Sequence, residues 1–183
     1  MKNKLKKKLQ LFSLILFVFM SSFFITGCGE EELSERDRVV NKKSILDEIN
    51  INDSGKLACT REAFATGVDV DLRYELEYKD GRVLLLHSME KVISDDNEKL
   101  NEYENAYRNI AKNYKGLKYY DINIIRDNDS VLNDTIINYD KLDMDKLLDI
   151  EGEEDNIIVD GKVLLKDWVG FAEKFGTVCE KVE

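Results

Sequence analysis

Residues 68–81 read VDVDLRYELEYKDG, an uninterrupted alternation of apolar and charged side chains that ends in Asp80-Gly81. Strict alternation is typical of a β-strand with one buried and one solvated face. Asp-Gly directly after such a strand is a strong signal for a two-residue hairpin turn. We therefore expect a second strand after the turn. Its predicted inward side chains are Val83, Leu85, His87, Met89 and Ile93.

A long helix and a second hairpin are predicted next. Residues 95–98 read DDNE and have the character of a capping box, after which apolar side chains recur at helical spacing up to Gly116. Residues 117–126 and 130–139 read as two strands that turn near Asn128-Asp129.

The C-terminal third predicts two further helical segments. We expect a short helical turn at residues 143–148 and, after the acidic loop 151–155, an amphipathic helix at 164–175 that Gly176 ends. Two hairpins with helices between and after them predict an α+β fold. Its antiparallel β-sheet would be built from hairpins, with helices packed on one face.

The N-terminus has the pattern of a bacterial lipoprotein signal. Five lysines within residues 2–8 precede a mostly apolar run, residues 11–25, and the run ends in Ile25-Thr26-Gly27-Cys28. The alternative is a membrane-spanning anchor, but a span needs roughly 20 consecutive apolar residues and this run is shorter. We therefore predict that residues 1–27 are a cleaved signal peptide. Cys28 would carry a diacylglyceryl group and palmitate, and it would anchor the chain on the extracytoplasmic face of the cell membrane.

One folded domain is expected behind this anchor. Residues 28–183 have the usual size of a single domain, and the chain has no proline and no Gly/Ser tract that would mark a second one. Residues 28–53 read as a tether, and residues 54–183 as the domain. The tether leads into a weak predicted helix that contains Val39, Ile45, Leu46 and Ile49.

The charge of the chain excludes some partners. Removing the five leader lysines from 27 basic residues leaves 22 against 37 acidic residues, a net charge of about −15. Such an excess repels polyanions, so nucleic acid is not expected as a partner. Cations, basic peptides and neutral glycans stay possible, and the acidity is equally explained as a device for solubility.

Two cysteines remain once Cys28 is lipidated. Cys59 and Cys179 would lie in a compartment that permits disulfides, and only one pairing is possible. We predict a bridge between them, with two unpaired thiols as the alternative. A loop of this size stabilises a fold by about 4 to 5 kcal/mol in the chain-entropy model.

Three short motifs occur in a fixed order along the predicted elements: YKDGRV at 78–83, YKGLK at 114–118 and NYDKLD at 138–143. This order of local signals resembles the YehR-like family of small bacterial lipoproteins, and the resemblance covers roughly residues 67–176. It implies a lipid-anchored α+β domain without an assigned activity, and it carries over no catalytic residues. Cys59 and Cys179 lie outside the matched segment.

The residues that could carry chemistry are few. His87 is the only histidine, and the predicted strand places it in the core opposite Tyr74, so we interpret it as a hydrogen-bonded core residue rather than a base or metal ligand. Residues 127–130 begin like a calcium loop, but Val131 and Leu132 stand where a ligand and the turn glycine belong. Asp143 and Asp145 fail in the same way. No cofactor and no metal are expected.

We therefore predict a non-enzymatic, lipid-anchored envelope domain that binds an envelope protein, a peptide or a wall component. The predicted binding face consists of the charged residues of the first strand, Asp69, Asp71, Arg73, Glu75 and Glu77. The alternative is a small hydrolase or a calcium-dependent enzyme that uses acidic loops, including Asp127, Asp129 and Glu154.

Overall fold

The computed structural model describes residues 43–65, 67–153 and 157–182. These residues form eight β-strands and three α-helices, which confirms the predicted α+β class. The strands are β1 (Ser54–Ala65), β2 (Val68–Lys79), β3 (Arg82–Ile93), β4 (Tyr120–Arg126), β5 (Ser130–Asn138), β6 (Ile158–Val159), β7 (Lys162–Val163) and β8 (Val178–Val182). The helices are α1 (Asn97–Asn113), α2 (Met144–Leu148) and α3 (Leu165–Lys174).

Six strands form one antiparallel sheet in the order β4-β5-β3-β2-β1-β8. The predicted hairpins are β2–β3 and β4–β5, and both are present. The sequence patterns did not predict β1 and β8, which extend the sheet beyond β2. A small second sheet, β6–β7, adjoins the main sheet through a bridge between Arg82 and Leu164.

The alternation along β2 divides the main sheet into two faces. The apolar side chains of β2 are all buried, and we call their side of the sheet the inner face: Val68, Val70, Leu72, Tyr74, Leu76 and Tyr78. The opposite side, which carries the charged residues of β2, is the outer face. At the end of β2, Asp80 and Gly81 have φ values of 50° and 73°. Positive φ at both central residues is what the predicted two-residue turn requires.

The second strand departs from the prediction because of a β-bulge. Tyr78 pairs with Val83, as the turn dictates, but Glu77 pairs with Leu85, so Leu84 has no partner on β2. One extra residue in a strand reverses the face of every residue that follows it. Four predicted inward positions are therefore wrong: Leu85, His87, Met89 and Ile93. The buried residues of β3 after the bulge are Leu86, Glu90 and Val92.

Helix α1 begins at a conventional cap. The Asp96 carboxylate accepts hydrogen bonds from the backbone N–H groups of Glu98 and Lys99, at 2.8 and 3.4 Å. These bonds satisfy two of the N–H groups that the first turn of a helix leaves unpaired. Gly116 follows the helix with a φ of 92°, a conformation that glycine adopts without steric cost.

Aromatic rings from the helices contact rings of the inner face. Trp168 in α3 meets Tyr74 edge to face, with 5.3 Å between the ring centroids. Tyr114, at the C-terminal end of α1, stacks on Tyr120 of β4 at 4.4 Å. Both geometries are favourable for aromatic pairs. All four rings are buried in the hydrophobic core.

The predicted disulfide between Cys59 and Cys179 is present, and it joins β1 to β8. The two residues are direct partners in the β1–β8 register, and both are buried. The bond closes a loop with a sequence separation of 120 residues. It therefore fixes β8, which is at the edge of the sheet, to its neighbour β1.

The predicted signal peptide, residues 1–27, and Cys28 lie outside the described residues, as do residues 28–42 of the tether and Val39. In residues 43–53 the structure has only a short 3-10 helix, Ile45–Asp47, in place of the predicted weak helix. Among the described residues, no helix is long and apolar enough to cross a membrane.

Candidate functional site

The predicted charged row of β2 lies on the outer face. Asp69, Asp71, Arg73 and Glu75 are exposed, and Glu77 is half-buried. Two pairs in or beside the row form salt bridges: Arg73 with Glu75 at 2.8 Å, and Glu77 with Lys56 of β1 at 2.6 Å. Exposed pairs of this kind contribute little to stability, so the row is free to serve another purpose.

His87 lies on the same outer face, and not in the core as predicted. The bulge at Leu84 turns it toward β2 on one side and β5 on the other. Its Nε2 atom lies 2.6 Å from Oδ1 of Asp134, and its Nδ1 atom lies 3.8 Å from Oε2 of Glu75. Both ring nitrogens of the histidine therefore face carboxylates.

These contacts connect three strands. Arg73 and Glu75 belong to β2, His87 to β3 and Asp134 to β5, and each neighbouring pair lies within 4 Å. We call these four residues the polar ladder. The ladder alternates positive or hydrogen-donating groups with carboxylates, an arrangement that fixes the positions of its side chains through their neighbours.

Apolar side chains lie beside the polar ladder on the outer face. Ile136 pairs directly with His87 in the register and is 40% exposed. Ile125 of β4 is also 40% exposed, and it pairs with Leu132 of β5. A polar network next to partly exposed apolar groups resembles the composition of protein interfaces, in which apolar area and hydrogen-bonding groups are mixed.

A different ionisable group, Glu90, lies on the inner face. Its residue is only 8% exposed, and burial raises the pKa of its carboxyl to about 7, although the nearby Tyr107 hydroxyl lowers it. Within the described part of the chain, neither Glu90 Oε1 nor the Tyr107 hydroxyl has a hydrogen bond of normal geometry. Sequence reasoning missed Glu90 because the predicted register placed its side chain in solvent.

Three tyrosines adjoin Glu90. Burial first, and the charge of Glu90 second, raises the pKa values of Tyr74, Tyr103 and Tyr107. These hydroxyls therefore keep their protons at physiological pH and do not act as bases. A perturbed carboxyl is a common mark of a functional site, but buried structural groups show it as well.

A second group of buried tyrosines lies near the C-terminal end of α1. The Tyr114 hydroxyl donates a hydrogen bond to Oε1 of the buried Glu153. Burial, followed by Glu153, raises the pKa values of Tyr114 and Tyr139. The stacked pair Tyr114 and Tyr120 belongs to the same group, and Tyr114, Tyr120 and Tyr139 are all buried in the hydrophobic core.

A shallow cleft lies beside the β2–β3 turn. Its volume is about 200 Å³, and the residues that line it include Val83, Leu84, Tyr139, Asp140 and Lys162. Ligand sites usually have a volume of about 300 Å³ or more, so the cleft is small for an organic substrate.

The acidic loops do not assemble a metal site in the part of the chain that the structure describes, where no group of three or more ligating side chains is found. Asp143 caps α2, because its carboxylate accepts a hydrogen bond from the Lys146 N–H and pairs with the Lys146 ammonium at 2.6 Å. The Asp127 N–H donates to the Ser130 carbonyl within the β4–β5 turn. Glu154 lies outside the described residues.

No protein-family model and no curated protein matches the sequence. Among solved structures, the chain is similar to the NMR structure of the Escherichia coli YehR protein, with 19% identity and a TM-score of 0.47 over 72% of this chain and 93% of that one. It is also similar to the NMR structure of a protein from Streptococcus pneumoniae TIGR4. That match has 13% identity and a TM-score of 0.46 over 85% of this chain and 99% of that one.

At these levels of identity and structural agreement, the two matches carry no argument about activity, ligands or partners. Membership of the YehR-like family stays a prediction from the sequence resemblance. The class that the structure itself defines is an α+β domain with a six-stranded antiparallel sheet.

Proposed function

We propose that this chain is a lipid-anchored, non-enzymatic domain of the cell envelope that binds an envelope protein, a peptide or a wall component through the outer face of its sheet. The observation that carries the proposal is the polar ladder. Four side chains from three strands are connected across the outer face, beside apolar residues that are partly exposed.

The distribution of the helices supports a free outer face. The helix residues with aromatic contacts to the sheet, Trp168 and Tyr114, contact rings of the inner face. Tyr107 of α1 lies beside Glu90, whose side chain is buried on the inner face. Helices packed on one face leave the other face of an antiparallel sheet available to a partner.

The extracytoplasmic location has its own support. Residues 25–28 read ITGC, the lipoprotein sequence that spans the predicted cleavage point before Cys28, and a disulfide such as Cys59–Cys179 persists in oxidising compartments. Cys28 would be the site of lipidation, and the two acyl chains of a diacylglyceryl group hold a protein stably on a membrane.

The location is tested by metabolic labelling with an alkyne analogue of palmitate. We expect the wild-type protein to carry the label in the membrane fraction and a Cys28→Ser variant to lose it. Labelled Cys28→Ser protein, or unlabelled wild-type protein in the soluble cytoplasmic fraction, contradicts the assignment.

The binding face is tested by capture from envelope extracts with chemical cross-linking. The test variant carries Glu75→Lys and Asp134→Lys, which reverse both carboxylates beside His87. The matched control carries Glu102→Lys and Glu151→Lys, two exposed carboxylates outside the sheet. We expect the control to capture the same partners as the wild type and the test variant to lose them. Identical capture by all three proteins would mean that the outer face is only a solvated surface.

A further inference from the structure

The edge of β1 is only partly covered by β8. The two strands pair from Lys56 opposite Val182 to Thr60 opposite Val178, and the register stops there. β1 continues to Ala65, and on its other side β2 pairs with it over that whole length. Residues 62–65 therefore form an open sheet edge, since no other described strand pairs with them on the side of β8.

The direction of the backbone groups along this edge follows from the disulfide pair. The Cα atoms of Cys59 and Cys179 are 4.0 Å apart, which is the close spacing of a non-hydrogen-bonded antiparallel pair. Backbone groups alternate in direction along a strand, so the even-numbered residues of β1 point their N–H and C=O groups toward β8. At Glu62 and Phe64, beyond the end of β8, these groups point away from the sheet. Edges of this kind are templates for the addition of another strand.

The side chains of the same two residues are exposed on the outer face. Glu62 pairs directly with Asp71 of β2, and two like charges in this position repel each other. Lys91 lies opposite Asp71 on the far side, but among the described residues no salt bridge joins it to either carboxylate. Phe64 is 74% exposed and pairs with Asp69. A strand added to this edge could therefore place a basic side chain next to Glu62 and an apolar side chain next to Phe64.

We propose that residues 62–65 bind an extended peptide segment as an added antiparallel strand, with a basic residue opposite Glu62 and an apolar residue opposite Phe64. In that direction the apolar residue stands two positions before the basic one. The proposal deepens the proposed function, on which it rests, because it names the class of partner that the outer face takes.

The charge of the surface favours such a segment over a second copy of this chain. Two copies joined along this edge would bring two acidic outer faces side by side. Each chain without its leader has a net charge of about −15, and like charge opposes association. A basic segment instead relieves the repulsion between Glu62 and Asp71.

The test is a nuclear magnetic resonance titration of the disulfide-bonded domain with a short synthetic peptide at millimolar concentration. The peptide has threonine at its outer positions and valine two positions before lysine. We expect shifts of the amide resonances of Glu62 and Phe64, and protection of both amides from hydrogen exchange. If these changes are absent at the highest soluble concentration of the peptide, the proposal is overturned. An equal response to a peptide that carries glutamate in place of the lysine also overturns it.

Backbone methylation separates strand addition from simple charge attraction. A peptide N-methylated on the edge that faces the protein keeps its charge but cannot pair, so we expect no binding, whereas methylation on the opposite edge is tolerated. The Glu62→Lys variant should bind the unmodified peptide at least about fivefold more weakly, and Glu180→Lys, on the paired strand β8, is the matched control. Equal binding of both methylated peptides contradicts strand addition.

The titration also distinguishes the two proposals. The Glu102→Lys and Glu151→Lys variant changes neither the edge nor the polar ladder, so we expect it to bind the peptide normally. If the peptide binds residues 62–65 but the outer-face variant captures the same envelope partners as the wild type, the proposed function alone is refuted. Capture that depends on the outer face, with no peptide response at residues 62–65, would refute strand addition alone. Concentration-dependent dimerisation through residues 62–65 would identify a second copy as the occupant and overturn the choice of partner.

Discussion

His87 and Glu90 stand three positions apart on β3, a spacing that places them on opposite faces of the sheet and in different surroundings. On the outer face, His87 lies between the carboxylates of Asp134 and Glu75. On the inner face, Glu90 lies among buried tyrosine rings, and its Oε1 atom has no hydrogen bond within the described residues. His87 therefore contacts carboxylates, whereas Glu90 has no oppositely charged partner among the described residues.

This difference shows how a fold assigns roles to ionisable residues. A carboxyl group that is removed from water without a partner keeps its proton to a higher pH, as the pKa of about 7 for Glu90 reflects. A partly exposed group among opposite charges can exchange those partners for the groups of a ligand. This difference is the reason why we propose recognition for the outer face and expect structural support from the inner face.

The largest expected effect on stability comes from removing the Cys59–Cys179 disulfide, which joins the edge strand β8 to β1 and so to both faces of the sheet. The Cys59→Ala and Cys179→Ala double variant should lower the free energy of unfolding by about 4 to 5 kcal/mol, because the bond closes a loop of 120 residues. Urea unfolding of the oxidised wild type and the double variant measures the change. Mass analysis under non-reducing conditions should find the two cysteines joined, and two alkylatable thiols in freshly exported protein would contradict the bond.

The second prediction sharpens the comparison at the inner face. Glu90 has a folded pKa of about 7 against an ordinary value of 4.5, so the folded state binds its proton more tightly than the unfolded state. This contribution to stability is fully present below pH 4.5 and is lost as the pH rises through 7. The loss corresponds to about 3 kcal/mol.

The Glu90→Gln variant tests this contribution. The free energy of unfolding of the variant should not fall in this way between pH 4.5 and 7. The difference in stability between the variant and the wild type should therefore shift in favour of the variant when the pH is raised from 4.5 to 8. Chemical denaturation at a series of pH values gives both curves. Glu180→Gln, at an exposed carboxylate of β8, is the matched control. Parallel curves for wild type and Glu90→Gln would show that Glu90 is not buried as described.

The third prediction concerns the outer face. Asp134→Asn preserves the shape of the side chain but removes the charge next to His87. Because both side chains are partly exposed, the free energy of unfolding should change by less than about 1 kcal/mol, while capture of the envelope partner falls. A loss of several kcal/mol in a denaturation experiment would instead make the polar ladder a structural element.

The smallest expected effect is that of Tyr107→Phe. The Tyr107 hydroxyl lowers the pKa of Glu90 but has no hydrogen bond of normal geometry in the described structure, so its removal should raise that pKa further and change stability at pH 4.5 by less than about 1 kcal/mol. A carbon-13 titration of the Glu90 carboxyl measures the direction. A fall in the pKa would contradict the arrangement.

The sequence predicted β2 and its turn because each position of that strand carries a clear preference for one face. The same argument failed on β3, where Val83, Leu84, Leu85 and Leu86 form a continuous apolar run. No polar residue in that run indicates which position is the unpaired one, so the bulge at Leu84 could not be located. Pairing of β3 with β5 fixes the register, and such a long-range contact has no local signal in the chain.

The part of the candidate site that lies within β2 was predictable from the sequence, and the contacts between strands were not. The charged row from Asp69 to Glu77 follows from the alternation of β2 alone. The contact of His87 with Asp134 joins residues 47 positions apart, and it depends on both the bulge and the strand order. The open edge at Glu62 and Phe64 depends on β8, a short strand whose pairing with β1 the sequence pattern did not reveal.

The most direct test of the opposite placement of His87 and Glu90 is a nuclear Overhauser experiment on the ring protons of His87. The structure predicts contacts between this ring and the methyl groups of Ile136, its direct partner on β5. Contacts with the rings of Tyr74 or Trp168 would place His87 on the inner face. That result would contradict the bulge, the polar ladder and the binding face that depends on it.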